Sequence, residues 1–391
     1  MGQAGNHLTA CRADDLTLFI VSGHRGGRAD ECDGVSMKIR RRSNCVPAPQ
    51  DSVLLFSTFG YYQSHRRQWR IPISGAVFEP HVLTVRRRFL LRLLRQVMRV
   101  SGEEFETELF RSRIAAFLAQ RRPVRLHLAS GELVFRMPRA RRDGLFATTI
   151  RISDEQLSKA SCVGSWVDFQ VLVAPEDTRV FRGKAQLIEP SGVSVISDVD
   201  DTTKHTEVWS RRSLLINTFL REYRTVDGMA ECYQRWAEQG AAFHYVTASP
   251  WQLYEALWQL HWQHGFPDGA FHLRTVRLPQ QMLRRIFWWP AHSKYLVLSR
   301  LLRCFPKRRF VLVGDSGERD PEIYGAIARR FPAQVAAIYI RRVPGRPWSD
   351  RRAKRVFRNV PRDVWCLFES ACELPKRLPG AGGAATLAID P

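Results

Sequence analysis

Short runs of β-branched and aromatic residues dominate the chain from Val53 to about residue 189. Gly, Pro and Asp, which favour turns, separate them. The runs read VLLFSTFGYY, WRIPISGAVFEP, PVRLHLASG, ELVFRMP, GLFATTIRI and VDFQVLV. This pattern predicts a β-rich, antiparallel, sandwich-like domain over residues 51–189.

One stretch inside this region, residues 82–120, has the period of a helix instead of a strand. It contains VRRRFLLRLLRQVMRV, with arginines on one face. The residues on the opposite, apolar face are Phe89, Leu90, Leu93, Leu94 and Val97. Such a helical insert either packs on the sandwich with its basic face in water or lies on an anionic membrane. Packing is the simpler interpretation, and the pattern leaves both open.

The pattern changes again after about Val193. Continuous apolar strands (VSVISD, AFHYVTAS, RFVLVGDS, VAAIYIRRV) alternate with helical stretches such as MAECYQRWAEQG. This alternation predicts an α/β domain over residues 190–374, built on a parallel sheet with helices on both faces. Residues 1–50 carry little pattern and are predicted to form an arm, and residues 375–391 a disordered tail.

Composition narrows the class of protein. The 391 residues suffice for two or three domains, and an apolar fraction of 45% is ordinary for a folded chain. No uncharged run approaches the ~18 residues of a membrane span, and the N-terminus is not typical of a signal peptide. The eight cysteines lie apart, without metal-site spacing, which is typical of reduced thiols in a cytoplasmic protein.

The formal charge of +22 favours anionic partners. However, only eight of the 60 basic residues are lysines, a skew typical of GC-rich genomes. Part of the charge therefore reflects codon usage, and it does not by itself favour nucleic acid. Phosphates and anionic lipid head groups remain candidate partners, including a membrane surface contacted peripherally.

Acidic, hydroxyl and ammonium groups follow the predicted strands of the α/β domain. Asp198, Asp200 and Asp201 end the first strand in VISDVDDTTKHTEV. The later residues of this kind are Thr247, Ser249, Lys294, Asp315 and Asp320. The carboxyl ends of parallel strands share one edge, where such sheets bind ligands, so we expect these groups to converge. Crowded carboxylates need a cation, and oxygen ligands suit Mg²⁺.

These groups are the ones that phosphoryl transfer needs. One carboxylate can attack phosphorus, and a second carboxyl group can exchange protons with the leaving oxygen and with water. A hydroxyl and an ammonium can hold the phosphoryl oxygens.

Four motifs in order resemble those of haloacid dehalogenase-like phosphatases: DVDDT, Thr247, Lys294 and GDSGERD. Longer segments, among them FHYVTASPWQLYEAL and FVLVGDSGERDPEIYGAIARRFP, resemble the actin-patch-type phosphatidate phosphatase family over about residues 53–345. The resemblance implies a haloacid dehalogenase-like catalytic domain behind a β-rich domain. It also implies Mg²⁺-dependent hydrolysis of phosphatidate. The chain departs from the family at Thr203, where an aliphatic residue is expected, and at Thr247, where Ser is commoner.

The resemblance also implies a role for each matching residue. Asp198 becomes the nucleophile, and Asp200 the general acid and base. The residues expected to hold the phosphoryl group are Thr202, Thr247, Ser249 and Lys294, of which Thr247 and Lys294 also count as catalytic. The residues expected to hold Mg²⁺ are Asp198, Asp200 through its main-chain carbonyl, Asp315 and Asp320. Asp201 is expected to cap the following turn.

Two other functions stay open. The first is a phosphatase of the same chemistry acting on a soluble phosphomonoester, since motifs define the reaction and not the leaving group. The second is a basic membrane-binding or nucleic-acid-binding module with a vestigial site. A segment before Lys294 contains Trp288 and Trp289, which either meet a membrane interface or pack beneath a loop.

Overall fold

The structure, a computed structural model, describes residues 46–381 with gaps at 81–84, 102, 104–106, 208–209, 275–290 and 344–347. These described residues belong to one compact unit. The predicted arm lies outside the described residues except for its last few positions. The described part has a mixed α/β fold with two sheets. Its helices include none that is long and apolar enough to cross a membrane.

The N-terminal strands form a ten-stranded sheet. They are β1 (Ser52–Leu55), β2 (Thr58–Gln63), β3 (Gln68–Glu79), β4 (Gln120–Arg121), β5 (His127–Ser130), β6 (Leu133–Arg136), β7 (Leu145–Ser153), β8 (Cys162–Val163), β9 (Trp166–Val171) and β10 (Arg182–Ile188). The order in the sheet is β1-β3-β2-β10-β9-β5-β6, with β4 and β7 paired to β3 and β8 paired to β9.

This sheet differs from the predicted antiparallel sandwich in two ways. It is one continuous hydrogen-bonded sheet, and β10 pairs with β2 in parallel. Apolar residues from strands far apart in the sheet, such as Leu128 on β5 and Ile150 on β7, share one core, so the sheet curls around it. Local alternation predicts which face of a strand is buried, but it does not distinguish two packed sheets from one curled sheet.

The helical insert contains α1 (Val85–Met98) and α2 (Glu108–Leu118). Both helices contact helices of the C-terminal half of the chain, and their buried residues also share a core with Ala76, Phe78 and Leu145 of the β-rich sheet. The ring of Phe117 lies 5.4 Å from that of Phe219, and Arg212 donates to the Met98 carbonyl at 2.9 Å. Leu94 is buried as predicted, whereas Val97 is 39% exposed. The side chains of Phe89, Leu90 and Leu93 lie outside the described residues.

The second sheet has six strands, all paired in parallel as predicted, in the order β13-β12-β11-β14-β15-β16. Its strands are β11 (Val193–Ser197), β12 (Ala242–Pro250), β13 (Gly269–Arg274), β14 (Arg309–Asp315), β15 (Val335–Arg341) and β16 (Trp365–Phe368). The remaining described helices are α3 (Asp154–Leu157), α4 (Arg211–Phe219), α5 (Met229–Glu238), α6 (Tyr254–Gln263), α7 (Ala291–Cys304), α8 (Asp320–Arg330) and α9 (Asp350–Val356). The strand order reverses between β11 and β14, and ligands bind parallel sheets at such a reversal.

The two sheets meet through β2 and its preceding loop. Ser57 donates its hydroxyl to the Gly269 carbonyl at 2.8 Å, and its own carbonyl accepts from the Phe271 amide at 2.9 Å. Phe59 packs edge-on against His244 with ring centroids 5.3 Å apart. These contacts join the β-rich sheet to β13, the outer strand of the parallel sheet, and to its neighbour β12.

The first residues of the predicted disordered tail are ordered. The Pro375 carbonyl accepts from Trp236 Nε1 at 2.9 Å, and Leu378 is buried with its amide bonded to Gln239 at 2.8 Å. The prediction is therefore wrong for these residues, because a composition rich in Gly, Pro and Ala does not reveal hydrogen bonds to a distant helix.

Candidate active site

Three buried carboxylates converge at the carboxyl edge of the parallel sheet. Asp198 directly follows β11, Asp315 ends β14 and Asp320 begins α8. One oxygen from each lies within 4.8 Å of the other two, and each residue is at most 1% exposed. Lys294, on the first turn of α7, places Nζ 2.7 Å from Asp198 Oδ1 and also donates to Asp320 Oδ1. The predicted convergence of these four residues is present in the structure.

Local backbone geometry explains how the carboxylates approach so closely. The amide of Asp198 donates to the Val313 carbonyl at 2.9 Å, which extends the β11–β14 ladder to the start of the acidic loop. A Cβ at Gly314 would lie 2.3 Å from Asp320 Oδ2, so only glycine admits Asp320 here. Asp315 Oδ1 accepts from the amide of Gly317 at 2.6 Å, which holds the loop that leads to α8.

Burial and mutual repulsion perturb the charges of this centre. Burial raises the pKa of Asp198 well above its usual range, opposed by Lys294 and reinforced by Asp320 and Asp315. Burial also raises the pKa of Asp315 well above its usual range, and Asp320 adds to the effect. Burial would lower the pKa of Lys294, but Asp198 and Asp320 more than offset it and raise this pKa well above its usual value. The positive charge of Lys294 therefore opposes the negative charges of three neighbouring carboxylates.

The residues of this centre fit a hard divalent cation. Asp198 Oδ2 and Asp315 Oδ2 are buried and lack a hydrogen-bond partner among the described residues. Buried carboxylate oxygens without donors are costly unless a cation binds them. Oxygen-only ligands of this kind suit Mg²⁺.

Asp200 lies in a second, separate cluster. Its Oδ2 accepts from the hydroxyls of Thr247 and Ser249, each at 2.9 Å. Its Oδ1 accepts from Thr206 Oγ1 and pairs with Lys204 Nζ, each at 2.9 Å. The side chain of Asp200 thus contacts these four residues and not the three-carboxylate group. If Asp200 binds the metal, it would do so through its main-chain carbonyl. Burial would raise the pKa of Asp200, but the charge of Lys204 and these hydrogen bonds lower it below its usual value.

Asp201 and its neighbours shape the loop. Asp201 Oδ1 accepts from the amides of Thr206 and Glu207, at 2.7 and 2.9 Å, which confirms the predicted turn cap. Thr203, the unexpected polar residue, has Oγ1 3.3 Å from His261 Nε2, so a polar neighbour accommodates its hydroxyl. Thr202 is fully buried, and its hydroxyl has no hydrogen-bond partner in the described part of the chain. Its predicted contact with a phosphoryl group stays a prediction.

Sequence reasoning missed Lys204, Thr206 and Glu318. Lysines are scarce in this chain, and the scarcity that drew attention to Lys294 also marks Lys204. Glu318 is half-buried. Its burial and, to a lesser extent, the nearby Asp198 raise its pKa well above the usual value.

Trp288 and Trp289 lie outside the described residues, so their two interpretations stay open.

A parallel sheet with a buried, lysine-paired carboxylate cluster at its carboxyl edge defines this half of the chain as an α/β domain with an enzyme-like acidic centre. Residues 193–342 match the family model described as the catalytic domain of phosphatidate phosphatase APP1. Over these residues the chain is similar to the catalytic domain of that family.

Two curated proteins are similar to part of this chain. Phosphatidate phosphatase APP1 of Saccharomyces cerevisiae is 37% identical over 161 residues, which are 40% of this chain and 27% of that protein. An uncharacterized protein of Schizosaccharomyces pombe is 30% identical over 169 residues, 42% of this chain and 27% of its own length. The chain thus aligns with about a quarter of the length of these relatives. A crystal structure of Parabacteroides merdae beta-glucuronidase aligns with 75% of this chain and 34% of that one, at 9% identity. The TM-score of 0.24 is too low to indicate a shared fold.

Proposed function

We propose that this chain is a Mg²⁺-dependent phosphatidate phosphatase with a haloacid dehalogenase-like catalytic domain. It hydrolyses phosphatidate to diacylglycerol and phosphate. The observation that carries the proposal is the contact of Lys294 with Asp198 and Asp320, beside Asp315, inside the segment that matches the catalytic family.

The first half of the reaction transfers the phosphoryl group to Asp198. A carboxylate oxygen of Asp198 attacks phosphorus, the bond from phosphorus to the glycerol oxygen breaks, and that oxygen takes a proton from the Asp200 carboxyl group. Lys294 already contacts Asp198 Oδ1, where its charge can also meet a phosphoryl oxygen. The hydroxyls of Thr247 and Ser249 donate to Asp200, and each would turn to donate to the same phosphoryl group.

The second half hydrolyses the aspartyl phosphate. Water attacks phosphorus and gives its proton to the Asp200 carboxylate, the bond between phosphorus and Asp198 breaks, and phosphate leaves with Asp198 restored. The lowered pKa of Asp200 favours the carboxylate form that this step needs. The first half needs the acid form instead, which the negative charge of a bound phosphate favours.

Asp198, Asp315 and Asp320, with the main-chain carbonyl of Asp200, would hold the cation. When bound, Mg²⁺ supplies positive charge that lets an anionic nucleophile meet an anionic phosphate.

Phosphate release from phosphatidate in mixed micelles tests this function. The full chain should release phosphate with Mg²⁺ and stop with EDTA. A folded protein that releases none from phosphatidate, but does so from a soluble phosphomonoester, would favour the alternative substrate. Release from neither would leave a binding module as the better description.

We further propose that the chain is cytoplasmic and contacts the membrane peripherally. Two pairs of tryptophans are candidates for that contact. Trp258 and Trp262 stack on α6 and are 37% and 69% exposed, whereas Trp288 and Trp289 precede Lys294 in the chain. Each pair should be replaced by alanine in a separate variant. The pair that meets lipid will lower turnover on phosphatidate vesicles while hydrolysis of p-nitrophenyl phosphate persists, whereas equal loss on both substrates indicates packing.

A further inference from the structure

Lys204 is fully buried beside the candidate active site. The acidic loop folds back on itself, because the Lys204 amide donates to the Val199 carbonyl at 3.1 Å and the Lys204 carbonyl accepts from the Asp201 amide at 2.7 Å. This turn brings Lys204 Nζ to 2.9 Å from Asp200 Oδ1. A buried ammonium costs much desolvation unless an opposite charge pairs with it, as Asp200 does here.

The partners of Asp200 divide into two pairs. Thr247 and Ser249 hold Oδ2, and both are also expected to bind the phosphoryl group. Lys204 and Thr206 hold Oδ1, and both are buried behind it. When a phosphoryl group engages the first two hydroxyls, the Oδ1 contacts still fix the carboxylate. Of these contacts the one to Lys204 is an ion pair between two buried groups, and in such a poorly screened environment it is the stronger.

Lys204 is itself supported by the helical insert. Its Nζ lies 4.5 Å from the centroid of the Tyr223 ring, and the guanidinium of Arg113 on α2 lies 3.8 Å from the same centroid. Arg113 is buried and donates to the Thr218 carbonyl at 3.1 Å and to the Arg221 carbonyl, so it also holds the segment that carries Tyr223. These contacts connect the N-terminal half of the chain to Asp200.

We propose that Lys204 is a positioning residue that holds the Asp200 carboxylate in the orientation needed to accept the proton of the attacking water, and that Arg113 of the insert supports Lys204 through Tyr223. This inference rests on the proposed phosphatase function. It gives the β-rich half a part in catalysis that the segment 193–342 alone would lack.

Burst kinetics with p-nitrophenyl phosphate and Mg²⁺ test the proposal. p-Nitrophenolate is a good leaving group that needs no proton, so release of the first equivalent reports attack by Asp198 alone. In full-length Lys204→Met, the burst rate should stay within about tenfold of the wild-type first turnover. Steady-state turnover should fall about a hundredfold or more, because loss of a general base commonly costs that much. Phosphate should then accumulate on Asp198, which acid quenching and mass spectrometry can detect.

Arg113→Met provides a second route should Lys204→Met fail to fold. We expect a smaller effect of the same kind: steady-state turnover should be about tenfold lower, and the burst rate should be retained. The matched control is Arg308→Met, which removes a buried cation that holds the Val193 and Glu189 carbonyls at the opposite edge of the sheet. The Arg308→Met variant should change the burst rate and the steady-state rate by the same factor.

Burst and steady state falling together in the Lys204 and Arg113 variants, or not falling at all, would overturn the positioning role. Failure of the proposed function is separately visible, since the unmodified chain would then release phosphate from neither p-nitrophenyl phosphate nor phosphatidate.

Discussion

Replacing Lys294 with methionine removes the ammonium that contacts both Asp198 and Asp320. Methionine keeps most of the volume of the side chain, so packing around this 3% exposed residue changes little. What changes is the charge, because two buried carboxylates lose their counter-ion beside a third, Asp315. We therefore expect a large loss of stability and the loss of activity.

The magnitude follows from the burial of the partners. Removing one partner of a buried ion pair costs about 3–5 kcal/mol. Both carboxylates are 1% exposed, so the upper end of this range applies. The shift in melting temperature per kcal/mol falls with chain length and is roughly 1–2 °C for a unit of this size, so the melting temperature should fall by about 5–10 °C. Mg²⁺ should recover part of the loss, because a cation compensates the unpaired carboxylates.

Thermal unfolding of purified protein in EDTA, and then in Mg²⁺, measures both effects. Lys307→Met makes the same chemical change at an exposed position and serves as the control. Lys294→Arg separates charge from geometry. It should keep more stability than Lys294→Met yet hydrolyse phosphatidate almost as poorly, since a planar guanidinium does not replace a compact ammonium between carboxylate and phosphoryl oxygen. Equal melting temperatures for the Lys294 and Lys307 methionine variants, or an active arginine variant, would refute this reasoning.

Three further predictions concern the nucleophile, the metal and pH. Asp198→Asn should keep the fold and lose turnover by several orders of magnitude in phosphate-release assays, and wild-type-like turnover would contradict the mechanism. EDTA should abolish turnover and Mg²⁺ restore it, whereas Ca²⁺ should inhibit because it prefers a larger coordination shell; activity that survives chelation would count against the metal. Burial lowers the pKa of His272 from 6.5 to about 3, so the folded state stays neutral where the unfolded chain takes up a proton. Its contribution to stability is present above pH 6.5 and is lost as pH falls towards 3; urea unfolding should show this slope reduced by about one proton in His272→Gln, and an unchanged slope would argue against a neutral buried His272.

Periodicity in the sequence determined most of the secondary structure. The continuous apolar strands after Val193 predicted the parallel sheet, and topology alone then placed Asp198 and Asp315 at one edge. The position of Lys294 at the start of a helix of this domain, and the resemblance of four short motifs to those of a known family, were enough to predict that Lys294 joins them. These inferences succeed because side-chain alternation can be seen in a short stretch of sequence. Once the strands are known to be parallel, the residues at their carboxyl ends must lie at the same edge of the sheet.

Only the tertiary structure decided which polar groups contact one another. The sequence grouped Asp200 with the other aspartates, yet its side chain pairs with Lys204 and with hydroxyls of another strand, apart from the three-carboxylate cluster. Likewise the amphipathic pattern of the insert predicted a buried face but not that Arg113 would reach the ring of Tyr223. The direction of a side chain at the end of a strand depends on the turn that follows and on neighbours from distant strands. Those neighbours are brought together by strand order and packing, which periodicity along the chain does not encode.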